Sequence, residues 1–463
     1  MNKLFTLILC ATGLMAATAK INIPVETYKL DNGLRVILSQ DNAMPVVTVY
    51  LMYDVGARAE QKGRTGFAHL FEHMMFEGSA NIKKTEHFKY IQANGGTMNG
   101  STHPDYTDYF ETLPSNKLAL GLWLESDRMR SLAITPENLA NQKEAVKQER
   151  RLSFDNQPYA TAIVDKWPQL AFQNWQSSHS LIGSFEDLNA ATIEDVSKFF
   201  KTYYAPNNAV LTIVGDIRSE DAKKLIKSYF GDIPSQPQPT RPDMTEPADR
   251  KTARSEVYKD PLAKVPGVVI GYAGPKRQTE DFYAMTLLNA VLTTGDSSRV
   301  QQNMVKGKKS VIQYEGDLGW PFASSDDYKD PGDYGVFLIY NPSFQSGQIV
   351  DQFQQEVAKI QKDGISEEEI ARARTLLLAA KLNDLQTSFG RARRLSALEI
   401  LDGKPQEINT ELAHYADVTP AQVQAAAKKY LAADQRIVLA IQPDANAKPN
   451  EPSSANSKKQ GGL

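Results

Sequence analysis

The chain repeats itself. Thr192, Val196, Tyr203, Ala205, Leu211 and Val214 recur, in the same order and at one fixed separation, as Thr419, Val423, Tyr430, Ala432, Val438 and Ile441. Ile134, Thr135 and Leu139 recur as Ile365, Ser366 and Ile370 at a separation only slightly larger. Helix periodicity can imitate one such match, but a fixed separation across separate elements in the same order marks a duplication. Between the copies, residues 234–254 carry prolines at 234, 237, 239, 242 and 247 among polar residues, which reads as an extended linker. The repeat therefore predicts two related halves, 25–235 and 255–442, joined over 236–254. At 463 residues the chain is also too long for one ordinary core.

Within the first half, 26–55 alternates apolar and polar residues in short runs, with Asp31-Asn32-Gly33 as a hairpin turn signal. Strands are expected at 97–102, 107–113 and 209–214, and helices at 85–93, 117–132, 136–152 and 192–204. For the helix from Pro136, Thr135 is the expected N-cap and the proline occupies the first helical position. Strands mixed with helices in this order suggest α+β or two-layer α/β architecture.

The stretch 65–78, TGFAHLFEHMMFEG, carries the chemistry. As a helix it places Phe67, Leu70, Phe71, Met74 and Met75 on one side and His69, Glu72 and His73 on the other, with Thr65 as N-cap and Gly78 as stop. Two histidines four positions apart can reach one metal ion, and Glu72 on the same face can hold a water beside it. This His-x-x-Glu-His order is the inverted zincin signature. Such a site takes a third protein ligand and leaves a position for water. The helix from Pro136 offers Glu137, Glu144 and Glu149. Projection favours Glu149, which falls on the inward side near Leu139, Val146 and Gln142, but spacing alone leaves the choice open.

Composition narrows the rest. A net charge of −3 gives no electrostatic case for nucleic acid or an anionic membrane. Residues 1–19 read as a secretory signal: Lys3, then the apolar run 4–14, then Ala17-Thr18-Ala19 as a small-x-small cleavage site. Cys10 is the only cysteine and lies inside that run, so the mature chain would carry no disulfide. The tail 443–463 lacks apolar residues until its last position and should be disordered. A soluble product exported to the periplasm is expected.

His69, Glu72, His73 and, on the helix from Pro136, Glu149 resemble the pitrilysin/insulinase-type metallopeptidases, most closely their short two-domain bacterial and mitochondrial-processing-peptidase-like branch. Blocks beginning at Asn32, Gly95, Leu124, Tyr204 and Val214 resemble that family in the right order, as does Ser297-Ser298-Arg299 in the second half. The resemblance implies an α+β pitrilysin-like metallopeptidase fold of two homologous halves, each a mixed, mostly antiparallel sheet packed with helices. It makes His69, His73 and Glu149 the ligands of one zinc ion per chain and Glu72 the general base. It places Asn99, Gly100, Ser101 and Thr102 on an edge strand to which an extended peptide adds. The implied activity is a zinc metalloendopeptidase that cleaves short or unfolded peptides in a closed chamber. The rival readings are a non-catalytic scaffold or chaperone-like subunit and a maturation protease dedicated to one substrate.

Two departures stand out. Gln142 occupies a place where some relatives carry a second acid. The second half lacks the family's arginine with a tyrosine seven positions on: after Arg299 comes Lys306 at that distance, and Lys308 and Tyr314 do not restore the spacing. The repeat also sets Ala380 opposite Glu149, so no metal site is expected there. The pair is expected from a homologous partner subunit in a heterodimer, with a homodimer as the alternative. His87, His103, His179 and His414 lack ligand spacing and read as surface or satisfied core residues. Trp123, Trp167, Trp175 and Trp320 read as core or as filling between the halves.

Overall fold

The computed structural model describes residues 21–247 and 252–446. The expected signal sequence lies outside these residues, as does most of the expected tail. Among the described residues, eleven strands form two sheets. The first runs β1 (Glu26–Lys29), β2 (Arg35–Gln40), β3 (Val46–Tyr53), β4 (Thr97–Thr102), β5 (Thr107–Pro114) and β6 (Ala209–Gly215), in the spatial order β1-β2-β6-β3-β5-β4. The second contains β7 (Arg254–Asp260), β8 (Gly267–Ala273), β9 (Val311–Leu318), β10 (Asp333–Tyr340) and β11 (Ile437–Pro443), in the order β7-β11-β8-β10-β9. Without β1, the two orders superimpose strand for strand. Each sheet pairs its strands antiparallel except at one place, β2 with β6 in the first and β7 with β11 in the second. The duplication is thus visible in topology, and the architecture is α+β with two homologous halves.

The helices repeat as well. In the first half α1 (Phe67–Met74), α2 (Glu86–Ala93), α3 (Leu118–Ser131) and α4 (Pro136–Arg150) are followed by a helix at Ile193–Tyr203. The second half answers α4 with Glu367–Asp384 and the helix at Ile193–Tyr203 with Pro420–Tyr430. Thr192 and Thr419, equivalent positions of the repeat, both cap their helices through capping boxes.

The sequence division at the linker does not coincide with a packing division, because each half lends a helical segment to the other's sheet. Period-2 alternation makes this possible. Val47, Val49, Leu51 and Tyr53 of β3 face the first half's own helices. Tyr50 and Met52 face the other way, against Ala392, Leu395 and Leu398 from beyond residue 387. Thr48 and Thr212 add hydroxyl contacts to Ser388 at 2.8 Å and Ser396 at 2.7 Å. In return Ala162, Trp167 and Phe172 cover Val269, Phe337, Ile437 and Leu439 of the second sheet. Trp167 lies against Gly271, where a Cβ would come within 2.3 Å of its ring. Trp320 joins the same cluster, so two of the four tryptophans do fill the space between the halves.

Candidate active site

Helix α1 opens without a side-chain cap of its own. Its N-cap residue is Gly66, in the left-handed region at φ 82°, rather than Thr65. The acceptors come from the preceding loop: Glu60 takes the Gly66 N–H at 2.9 Å on Oε2 and the Ala68 N–H at 2.8 Å on Oε1. Thr65 instead donates its hydroxyl to Asp187 at 2.5 Å. The helix is therefore shorter than 65–78, ending at Met74, with Gly78 in a turn beyond it at φ 99°. Its apolar face packs as expected: Phe67, Leu70, Phe71 and Met74 are buried, with the Phe71 ring 4.9 Å from Phe199 and 5.0 Å from Tyr204.

Helix α4 starts where the sequence placed it. Thr135 accepts the Asn138 N–H at 3.1 Å and Pro136 occupies the first position. The two helices pack together, and this brings Glu149 onto the histidine pair. Glu149 Oε2 lies 3.1 Å from His73 Nε2, and Oε1 lies 3.7 Å from His69 Nε2. One ligand atom from each of the three residues falls within 4.8 Å of the others. His69 is buried, whereas the side chains of His73 and Glu149 are 25% and 39% exposed, which leaves the cluster open on one side. Gln142 reaches the same place and adds to the forces that hold His73 above its ordinary value.

The electrostatics are those of a crowded, half-dry donor set. Burial drives His69 down to about 4, and the neighbouring His73 adds to the shift. Burial also opposes charge on His73, but the hydrogen bond and charge of Glu149 outweigh it and hold His73 above its ordinary value. The same hydrogen bond holds Glu149 below the usual carboxylate range. Glu72 moves the other way, pushed up by burial against the hydrogen bond it accepts on Oε2 from the Thr102 hydroxyl at 2.7 Å.

The donor set suits a divalent metal: two imidazole nitrogens and a carboxylate converge, and one face is accessible. His69 Nδ1 is buried without a hydrogen-bond partner, so its ring chemistry is directed through Nε2. A second group, His87, Glu111 and Glu125, is equally close-knit but does not fit a cation. All three are buried, and Arg128 holds Glu125 through two guanidinium nitrogens. A dication roughly 5 Å from a guanidinium is repelled by about 7 kcal/mol at an effective dielectric near 20. That cluster is a buried charge network.

The strand expected to take substrate runs beside α1. β4 is the outermost strand of its sheet, paired on one side with β5 from Thr97↔Thr112 to Thr102↔Thr107. Asn99 is exposed, Gly100 is buried, and Ser101 and Thr102 are intermediate. A Cβ on Gly100 would sit 3.3 Å from Glu72 Cγ and 3.1 Å from Tyr109, so glycine lets the strand lie close over the acid. Ser101 donates to Asp108 at 2.5 Å and meets His103 Nε2 at 3.0 Å.

Sequence reasoning passed over Glu60 and read His179 only as a surface or satisfied core residue, the second of which it is. His179 pairs with the acid that caps α1, at 3.1 Å, and nothing in its local sequence signals so distant a partner. In the second half, Arg299 is engaged by Glu369 at 2.8 and 3.1 Å, and Tyr314 by Ser298 at 3.0 Å.

A helix presenting two histidines and a glutamate to a glutamate on a second helix, beside an outer strand, is the arrangement expected of the inverted zincin class. Residues 35–184 match the model described as insulinase (peptidase family M16), and residues 190–377 match the model described as peptidase M16 inactive domain. The chain belongs to the pitrilysin/insulinase-type family, in the branch that includes the mitochondrial-processing peptidase beta subunits. It is 28% identical over 367 residues to the zinc protease PqqE of Helicobacter pylori, covering 78% of this chain and 80% of that one. It is 24% identical over 380 residues to the mitochondrial-processing peptidase subunit beta of Bos taurus, covering 81% and 75%. The structure of a protease from Helicobacter pylori superimposes with a TM-score of 0.85 at 25% identity, covering 91% of this chain and all of that one. The M16 inactive domain from Pseudomonas fluorescens shares the fold, with a TM-score of 0.80 at 18% identity over 92% of this chain and 100% of its own. His69, Glu72, His73 and Glu149 all lie outside the segment matched by the inactive-domain model.

Proposed function

We propose that the chain is a zinc metalloendopeptidase with His69, His73 and Glu149 as the metal ligands and Glu72 as the general base. The observation that carries this reading is the position of Glu72: beside the ligand cluster and hydrogen-bonded to Thr102 on the outer strand. Bound zinc supplies Lewis-acid polarisation of a carbonyl and activation of a water at neutral pH. The chain's own residues do the rest. β4 offers its free edge to an extended peptide, pairing by backbone hydrogen bonds with little demand on side chains. Thr102 holds one carboxylate oxygen of Glu72, and the other takes the proton from the attacking water. Glu72 then hands that proton to the leaving amine, and its raised affinity for a proton suits the carrying step. Gln142 orients His73 in place of a second acid. The substrates are short or unfolded peptides enclosed in a chamber between halves, and the chain works in the periplasm after removal of residues 1–19.

With Arg299 and Tyr314 engaged locally, the substrate-clamping Arg/Tyr pair comes from a homologous partner subunit. The naming of three relatives as beta subunits supports this arrangement. The test is to purify residues 20–463, measure bound zinc and follow a quenched fluorescent peptide with and without chelator. One zinc per chain with chelator-sensitive cleavage supports the ligand set and the peptidase reading and shows the chain to be self-sufficient, which overturns the need for a partner. One zinc without cleavage supports the ligand set and sends the search to the partner. A chain that takes no zinc overturns the site.

A further inference from the structure

The two ligand-bearing helices meet a third element that no motif marks. The segment from His179 to Asp187 touches the start of α1 and the end of α4 at once. At α1, both ring nitrogens of His179 face acceptors: Nδ1 meets the Trp175 carbonyl at 3.0 Å, and Nε2 meets the Ala57 carbonyl at 3.0 Å and Glu60 at 3.1 Å. Glu60 is the residue that caps Gly66 and Ala68, one position before His69. Trp175 stacks on the imidazole at 4.2 Å, and the histidine side chain is only 8% exposed. Farther along, Gly183 and Gly66 lie backbone against backbone, both left-handed at φ 79° and 82°. A Cβ on Gly183 would fall 2.4 Å from the Thr65 carbonyl oxygen, and one on Gly66 would fall 2.6 Å from that of Ile182. Thr65 then accepts the Ser184 N–H at 3.1 Å and donates to Asp187 at 2.5 Å.

At α4, Arg150, the residue after Glu149, donates to the Gly183 carbonyl at 2.6 Å through Nη1 and to Asp165 at 2.6 Å through Nη2. The same carbonyl-bearing glycine therefore sits on α1's entry and holds α4's last turn. The arginine is buried, so its planar fork is fixed rather than solvated.

Resting on the zinc reading above, we propose that residues 179–187 are a brace that sets the spacing between the His69/His73 pair and Glu149. Glu60, His179, Gly183 and Arg150 are its positioning residues. None of them contacts the metal; they act through the helix start and the helix end. A ligand set drawn from two helices binds tightly only when the separation is fixed before the ion arrives, and outer supports of this kind contribute roughly 10- to 100-fold in metal affinity.

The experiment uses the full mature chain. Zinc affinity is measured by competition with a chromophoric chelator, and the unfolding midpoint of the metal-free protein is measured in parallel. The variants are Gly183→Ala, Arg150→Met and the milder Glu60→Gln, with Arg277→Met as a control. Arg277 pairs with Asp402 in the second half, at 2.7 Å, and its loss should lower the midpoint alone. The brace variants are expected to weaken zinc about 10-fold or more while remaining folded, with Glu60→Gln between them and wild type. Brace variants that lower the midpoint like the control but hold zinc within about twofold of wild type overturn the proposal. Should Gly183→Ala fail to fold, Glu60→Gln and Arg150→Met decide the matter by the same criterion. Absence of zinc from wild type itself would instead fault the site reading and is scored separately.

Discussion

The two halves share a scaffold and differ in what they hang on it. In the first, α1 packs against α4 and the helix at Ile193–Tyr203; in the second, the helix Glu280–Thr293 packs against Glu367–Asp384 and Pro420–Tyr430. The first of these central helices keeps a polar face with His69, Glu72 and His73. The second is buried on every side from Phe282 to Thr293. Opposite Glu149 the second half has Ala380. At the separation that relates Glu149 to Ala380, by contrast, an ion pair is kept in both halves. Glu125 and Arg128 are answered by Glu356 and Lys359, and Asn303 donates to Glu356 at 2.8 Å. The duplicated fold tolerates either a polar or an apolar face at its centre. Chemistry resides in that face and not in the topology.

The sharpest way to break the comparison is to remove the polar face. His73→Ala is expected to abolish both zinc binding and hydrolysis, because two remaining ligands do not hold the ion and the second half has no set to replace them. Zinc counted on the purified variant checks this; a full equivalent retained would mean that a second site exists. Glu72→Gln is the next largest effect. It should lower kcat by about 10²- to 10⁴-fold, the usual contribution of a positioned general base, and leave zinc at one per chain. Loss of zinc together with activity would make Glu72 a ligand instead of the base.

Much of this contrast is legible in the sequence. The repeat separations foresaw two related halves, and the apolar stripe of α1 foresaw which of its residues are buried. Spacing could narrow Glu149 to one face of α4 and only the family resemblance chose it, since the geometric choice depends on how α4 packs on α1. The cap of α1 was misread for the same reason. Thr65 has the right chemistry locally, but Gly66 turns left-handed and Glu60, from a loop, reaches the free N–H groups first. The exchange of helical segments between halves was hidden too. Residues 388–397 have an ordinary helical pattern, and only the outward side of β3 and β6 shows that they need a foreign partner. Buried pairs distant in sequence, such as His179 with Glu60, leave no periodic trace.

The buried network gives a smaller effect with a defined pH signature. Burial keeps Glu111 protonated well above its ordinary 4.5, with the nearby Glu125 adding to the shift. Burial keeps His87 neutral well below its ordinary 6.5, with Arg128 adding. Glu111's contribution is complete below 4.5 and is lost as pH rises towards its folded value; His87's is complete above 6.5 and is lost as pH falls. Between 4.5 and 6.5 the two contributions oppose each other, the unfolded chain taking up a proton on the histidine and the folded chain on the acid. Above 6.5 only Glu111 remains, and stability falls as pH rises towards its folded value. Unfolding of wild type and Glu111→Gln at pH 6.5 and 8 checks the sign: the variant should lose this alkaline decline. The same decline in both proteins would place its source outside the network.

The smallest expected effect sharpens the comparison most, because it asks whether the second half touches substrate through its own arginine. Arg299 stands in the one block of that half resembling the family. Its guanidinium is spent on Glu369, which also closes the capping box of the following helix by accepting from Ser366. Arg299→Met should therefore cost about 1–2 kcal/mol of stability, the loss of a charge-assisted pair that is partly shielded from water. It should leave KM and kcat for a short peptide unchanged at a temperature where the variant is folded. A rise in KM at unchanged zinc content would show the arginine leaving Glu369 to meet the peptide. The second half would then contribute to binding without a partner, and the division of labour between the halves would be less complete than their central helices indicate.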